Sequence, residues 1–141
     1  MNIRAYQPAD EPAVIALWKE CGLVRPQNDP RADIRRKLAV NPELFLVGTI
    51  DGQIAASVMA GYEGHRGWIN YLAVAPALQQ LGYGRQIMAR AEELLLALGC
   101  PKINLQVRTT NQQVIEFYQR LGFVQDEVVS LGKRLIPDEP S

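Results

Sequence analysis

The chain holds a single histidine, His65, and only two cysteines, Cys21 and Cys100, among its 141 residues. A structural zinc centre needs about four His or Cys donors, so this inventory speaks against any metal site built by the protein alone. The two cysteines stand far apart and form no CxxC pair. Two thiols in a reducing cytoplasm are a simpler reading than a disulfide framework. An excess of charge of either sign is also missing, because 15 Lys and Arg face 15 Asp and Glu. That balance argues against a whole-protein field for nucleic acid or an anionic membrane. No apolar run approaches the roughly 20 residues that span a bilayer. The opening "MNIRAYQPADEPAV" shows no basic-then-apolar leader, so the expected location is the cytoplasm. Repeats, low-complexity tracts and linkers are absent, and 48% hydrophobic residues over this length suit one domain, 1–141.

What is present is an alternation of strand and helix signals. "MNIRAY" reads as a short strand, followed by a helix with Asp10 at its cap, Pro12 in its first turn and Gly22 as its stop. Val14, Ile15, Trp18 and Cys21 share one face of that helix. Asp29 caps a second helix through "RADIRRKLAV". "LFLVGTI" and "QIAASVMAGY" flank Asp51-Gly52, a strong hairpin signal, and "WINYLAVA" is the next strand. A long helix carries Ile87, Met88, Ala91, Leu94, Leu95 and Leu98 at helical spacing. "KINLQV" is a strand, "NQQVIEFYQRLG" a short helix, and "FVQDEVVSLGKRLI" reads as two further strands. The sum is an α+β (α/β) arrangement, a mixed sheet with helices packed on it.

Between the strand "YLAVAP" and the long helix lies "QQLGYGR", with Gly82 and Gly84 at the helix start. Glycine inside a helix costs about 1 kcal/mol against alanine, so the bare backbone needs a reason. The free N–H groups of a helix N-terminus form an anion site, and glycine lets backbone approach a phosphate closely. Gln80, Leu81, Gly82, Gly84 and Arg85 would line such a cradle. On glycine content alone, a plain turn before a surface helix is the preferred reading. The loop is neither GxxxxGK[ST] nor GxGxxG, since Ile87 stands at the third glycine position.

The wider order decides between these readings. Gln79-x-x-Gly82-x-Gly84 follows a strand and opens a helix; then come Leu105-x-Val107, Asn111, Tyr118 and Gly122-Phe123. This order resembles the GNAT superfamily of acyl-CoA-dependent N-acetyltransferases, and "RPQNDP", "GHRG" and "SLGKRLI" are similar to its small bacterial YpeA-type branch. The resemblance implies a mostly antiparallel sheet of about six to seven strands with about four helices, splayed between the fourth and fifth strands. It implies acetyl-CoA as co-substrate, its pantetheine arm bonded by the backbone of Leu72, Ala73 and Val74 like an added strand. Its pyrophosphate would lie on the loop from Gln79 to Arg85, and Asn111 and Tyr118 would add to the cofactor site. The acceptor would be a small-molecule or protein amine, and a homodimer is compatible with the family.

The reaction then needs a base for the amine and an acid for the departing thiolate. The resemblance gives the acid to Tyr118, which alone would read as a core aromatic beside Val114, Ile115 and Leu121. It offers no carboxylate on "WINYLAV" for the base. Glu63 and His65 are the nearest titratable groups, with solvent-turn decoration as the rival reading, and a water held by Asn70 or Tyr71 would also serve. Asn111 doubles as a helix cap. Arg25 and Asp29 would rim the acceptor site, with Asn70 and Asn104 lining the cleft.

Overall fold

The computed structural model describes residues 1–26 and 28–137. Five strands form one sheet in the order β1-β2-β3-β4-β5: Asn2–Ala5, Phe45–Ile50, Gln53–Tyr62, Gly67–Val74 and Ile103–Leu105. The first four are antiparallel neighbours, and β5 joins β4 in parallel. Four α-helices pack on it among the described residues: α1 Glu11–Glu20, α2 Pro30–Leu38, α3 Tyr83–Ala97 and α4 Gln112–Arg120.

The central strands are buried on both faces, and their side chains alternate between two cores. Leu46, Val58, Ala60 and Ile69 pack with Ile87, Met88, Ala91 and Leu95 of α3 and Tyr118 of α4. Phe45, Val47, Met59 and Ala73 pack with Val14, Ile15 and Trp18 of α1 and Ile34 of α2. Asp51 and Gly52 both take positive φ, 52° and 77°, and Ile50 pairs with Gln53, so the β2–β3 hairpin closes on the two-residue turn that its sequence specifies.

Two expectations need correction. Asp29 does cap α2, accepting from the N–H groups of Arg31 and Ala32, but Asp10 makes no side-chain cap on α1. Its carboxylate takes two bonds from the Arg4 guanidinium, at 2.7 and 2.9 Å, and one from Gln7 N–H at 2.8 Å. A bidentate charged partner outcompetes a cap. The second correction concerns 123–137, where no strand forms, so the sheet has five strands among the described residues rather than six or seven. That segment meets β5 through side chains instead: Lys102 and Asn104 donate to Asp126, and Gln106 donates to Ser130. Val124, Val128, Val129 and Leu131 stay exposed. Strand propensity works only where a pleated face receives the side chains, and these have none.

The Arg4 bonds hold the Asp10 carboxyl below its usual pKa. A lowered folded pKa stabilises the native state above the unfolded value of ~3.9, and the gain is lost as pH falls through the folded pKa. Asp10→Asn is expected to lower unfolding free energy by about 1–3 kcal/mol at neutral pH. It should also flatten the acid limb of a denaturant-monitored stability profile.

Candidate active site

β4 pairs with β5 over only three positions, Gly67 with Ile103 through Ile69 with Leu105. It then runs on to Val74 beside β3 alone. Its outer edge from residue 70 onward is therefore open, on the side where β5 gives way to the chain leading into α4. Ala75 N–H donates to Ala55 O at 2.9 Å. In the alternation of an antiparallel ladder, Val74 then turns its carbonyl outward and Ala73 turns its backbone toward β3. The Val74 carbonyl accepts from Gln79 Nε2 at 3.1 Å and from Cys21 Sγ at 3.3 Å, so Gln79 ties the glycine loop to the open edge.

A β-bulge lies at the head of this edge. Ser57 pairs with Ala73 and Met59 with Asn70, so Tyr71 and Leu72 together oppose Val58. Tyr71 takes a φ of 52°, a left-handed conformation that costs a non-glycine residue about 1–2 kcal/mol. Its surroundings hold it there. The Trp18 ring stacks on the Tyr71 ring at 3.9 Å. Trp18 Nε1 donates to Ser57 Oγ, which donates to the Tyr71 carbonyl, both at 2.9 Å. The Tyr71 hydroxyl donates to Asp33 of α2 and accepts from Asn28 Nδ2 at 2.8 Å. Backbone strain sustained by this many partners is characteristic of functional positions.

The loop that opens α3 joins two different uses of glycine. Gly82 is the N-cap with φ of 91°, and a Cβ there would meet nothing within 4 Å, so the requirement is conformational. Gly84 is buried, and a Cβ there would stand 3.1 Å from Phe117 Cζ and 3.6 Å from Val74 Cγ2. Its role is to bring α3, α4 and β4 together, a packing reason that glycine spacing in the sequence did not reveal. Gln80, also at positive φ, Leu81 and Arg85 are exposed around the turn. Among the described residues no side chain caps α3, and no acidic residue lies in its first turn. The helix N-terminus therefore presents its donors and dipole to the outside.

Helix α4 carries Tyr118 into the core against which Leu72 and Val74 of β4 also pack. The ring is 8% exposed, edge-on to Phe117 at 5.2 Å and Phe123 at 5.4 Å. Burial pushes its pKa well above the ordinary tyrosine value, so the hydroxyl stays protonated. No buried side-chain oxygen lacks a hydrogen-bond partner among the described residues. Asn111 is the N-cap of α4 and accepts from Val114 N–H, the capping role foreseen for it.

The remaining foreseen residues scatter. Glu63 and His65 lie exposed in the β3–β4 turn, where the Glu63 carboxylate accepts from the N–H groups of His65 and Arg66. Those two bonds help to close the turn. Arg25 is exposed, and Asp29 directs its carboxylate to the α2 cap. Asn70 is exposed on β4, while Asn104 is held by Asp126. Asp33 and Lys37 of α2 were not foreseen. Lys37 donates to the Ala60 carbonyl, and burial lowers its pKa. Neither residue carries a local sequence signal, because only the packing of α2 on the sheet brings them to β3 and β4.

Comparison with known proteins fits this geometry. The pattern of the family described as Acetyltransferase (GNAT) family matches residues 10–123. Acetyltransferase YE1169 of Yersinia enterocolitica is 48% identical over 139 residues, 99% of either chain. The chain belongs to the GNAT family of acetyltransferases. Among solved structures with this GNAT fold, Ard1 from Thermoplasma volcanium superposes with a TM-score of 0.75 at 24% identity, covering 87% of this chain and 82% of that one. AAC(6')-Iy in complex with the bisubstrate analog CoA-S-monomethyl-acetylneamine gives 0.77 at 19% identity, covering 94% and 97%. The five-stranded sheet with its short β4–β5 pairing is thus the GNAT fold. No helix among the described residues is long and apolar enough to cross a membrane.

Proposed function

We propose that this GNAT acetyltransferase moves an acetyl group from acetyl-CoA directly to a primary amine, with the cofactor lying along the open edge of β4. The observation that carries the reading is the uncapped α3 N-terminus, tied by Gln79 to the outward carbonyl of Val74. The pyrophosphate would take the N–H groups around Gly82 and Gly84, with Arg85 adding a charge-assisted contact. The pantetheine amides would bond the outward backbone groups of Leu72 and Val74, as an added strand does. The "RPQNDP", "GHRG" and "SLGKRLI" stretches support placing the chain in the YpeA-type branch; Gln27 of the first lies outside the described residues.

In the reaction, the neutral amine attacks the thioester carbon, a C–N bond forms, and the C–S bond breaks as the tetrahedral intermediate collapses. Tyr118 gives its proton to the departing sulfur and regains one from solvent. The amine's proton leaves either through the Glu63–His65 turn or to water beside Asn70 and Tyr71. The exposure of Glu63 and His65 in a solvent-facing turn favours the water route.

Calorimetry with acetyl-CoA, followed by CoA-thiol release against a panel of alkylamines, amino acids, aminoglycosides and peptide N-termini, tests the reading. Micromolar binding and acetyl-CoA-dependent thiol release with at least one amine are the expected results. No binding would remove the cofactor assignment. Binding without release toward any amine would favour an acyl-CoA sensor of the same fold.

A further inference from the structure

Asp33 sits where two walls of the molecule meet. Helix α2 carries it against the sheet, and its Oδ2 accepts from the Tyr71 hydroxyl at 2.5 Å. Asn28, in the loop before α2, donates to the same hydroxyl at 2.8 Å and accepts from Arg25 N–H at 2.7 Å. The three side chains converge on one point from a loop, a helix and the β4 bulge. The Tyr71 ring packs in the α1 core, whereas Leu72 and Val74 pack with the α3 core. The bulge thus has the proposed cofactor loop toward one face of β4 and Asp33 toward the other. A substrate meeting the cofactor at the open edge would approach from the α1–α2 face, past Asp33.

The carboxylate is able to receive it. Its side chain is 27% exposed, so it is reachable yet partly desolvated. Its other side-chain partner among the described residues is Arg36 Nη1 at 3.4 Å, whose own side chain is 53% exposed. An exposed pair at that distance is weak. A carboxylate offers about four acceptor positions, more than these two bonds fill.

We propose that Asp33, fixed by the Tyr71 hydroxyl, is the specificity-determining carboxylate that docks the acceptor as an alkylammonium ion. The inference rests on the acetyltransferase reading of the open edge. An alkylamine titrates near the lysine value of ~10.4 and is charged at neutral pH. A half-buried anion bonded to a fixed hydroxyl selects that form over neutral arylamines or alcohols of similar shape. The docked ion releases a proton to water before its lone pair attacks, so Asp33 governs binding of the acceptor rather than bond cleavage.

The test uses the full chain labelled with ¹⁵N and a probe that needs no knowledge of the natural acceptor. Titration with n-butylammonium chloride should shift the backbone amide resonances of Asn28, Asp33 and Tyr71, and n-butanol with matched sodium chloride should not. Asp33→Asn, which keeps an acceptor for the Tyr71 hydroxyl and loses the charge, should abolish those shifts. The same variant should raise KM for an alkylamine acceptor on the order of tenfold or more. Its acetyl-CoA affinity and melting temperature should stay at the wild-type values. Absent shifts in the wild type, equal shifts with butanol, or unchanged shifts and KM in Asp33→Asn would overturn the proposal. Loss of acetyl-CoA binding by the wild type would instead overturn the cofactor reading, so the two failures are distinguishable.

Discussion

Tyr118→Phe is expected to lower kcat by about a hundredfold to ten-thousandfold, the range general acids commonly contribute. The phenyl ring keeps its edge contacts with Phe117 and Phe123, and only the oxygen is removed. Melting temperature and acetyl-CoA affinity should therefore stay near the wild-type values. The same group makes a second, independent demand on the pH profile. Burial raises its pKa above the ordinary tyrosine value of ~10, and the protonated form is the active one. The rate with a good amine should then show no descending limb below about pH 10. If Tyr118→Phe turns over at the wild-type rate, the thiolate takes its proton from water, and Tyr118 is a core aromatic. A lost rate accompanied by lost stability would point to packing, and comparing kcat with the melting temperature separates the two.

The elements that were readable in the sequence are those whose signal is local. The Asp51-Gly52 turn needs two positive φ values in succession, and its residues announce that. Asp29 caps α2 because the two backbone N–H donors its carboxylate accepts from lie two and three positions ahead. Asp10 misled for the opposite reason. It stands at a cap position, but its stronger partner, Arg4, arrives from β1, and no cap rule weighs a bidentate guanidinium. The tail 123–137 misled because alternation of apolar residues reports a preference for a pleated surface and is silent on whether one is offered.

The site divides along the same line. Gln79, Gly82 and Tyr118 came from an ordered motif, and the structure places the first two at the start of α3 and the third in the core against which Leu72 and Val74 of β4 also pack. The Tyr71 bulge and Asp33 were invisible, since they lie 38 positions apart and meet only once α2 packs on the sheet. Trp18 and Ser57, themselves 39 positions apart, likewise meet only in the fold to support Tyr71. Such long-range polar contacts exist only in the folded state, and the strain they hold at Tyr71 has no counterpart in residue type.

Gly82→Val is expected to weaken acetyl-CoA binding by on the order of a hundredfold, the loss of about two hydrogen bonds to a charged group. The space around this glycine is open, so steric collision with the protein is not the cause. The cause is conformational. Gly82 holds a φ of 91°, and a β-branched residue is driven out of that region at a cost of about 1–2 kcal/mol. The loop must then rotate, and the N–H groups of the first α3 turn swing away from the point where a pyrophosphate would bind. Some of the strain will appear as a lower melting temperature, so affinity is to be measured by calorimetry well below the transition. Gly84→Ala provides the contrast, because its Cβ would press on Phe117 at 3.1 Å and shift α4. That variant should lose stability first, and affinity only as far as α4 moves. A folded Gly82→Val protein that binds acetyl-CoA as tightly as wild type would place the pyrophosphate elsewhere. The uncapped helix end would then be an ordinary solvated terminus, and the positive φ at Gly82 would serve the turn alone.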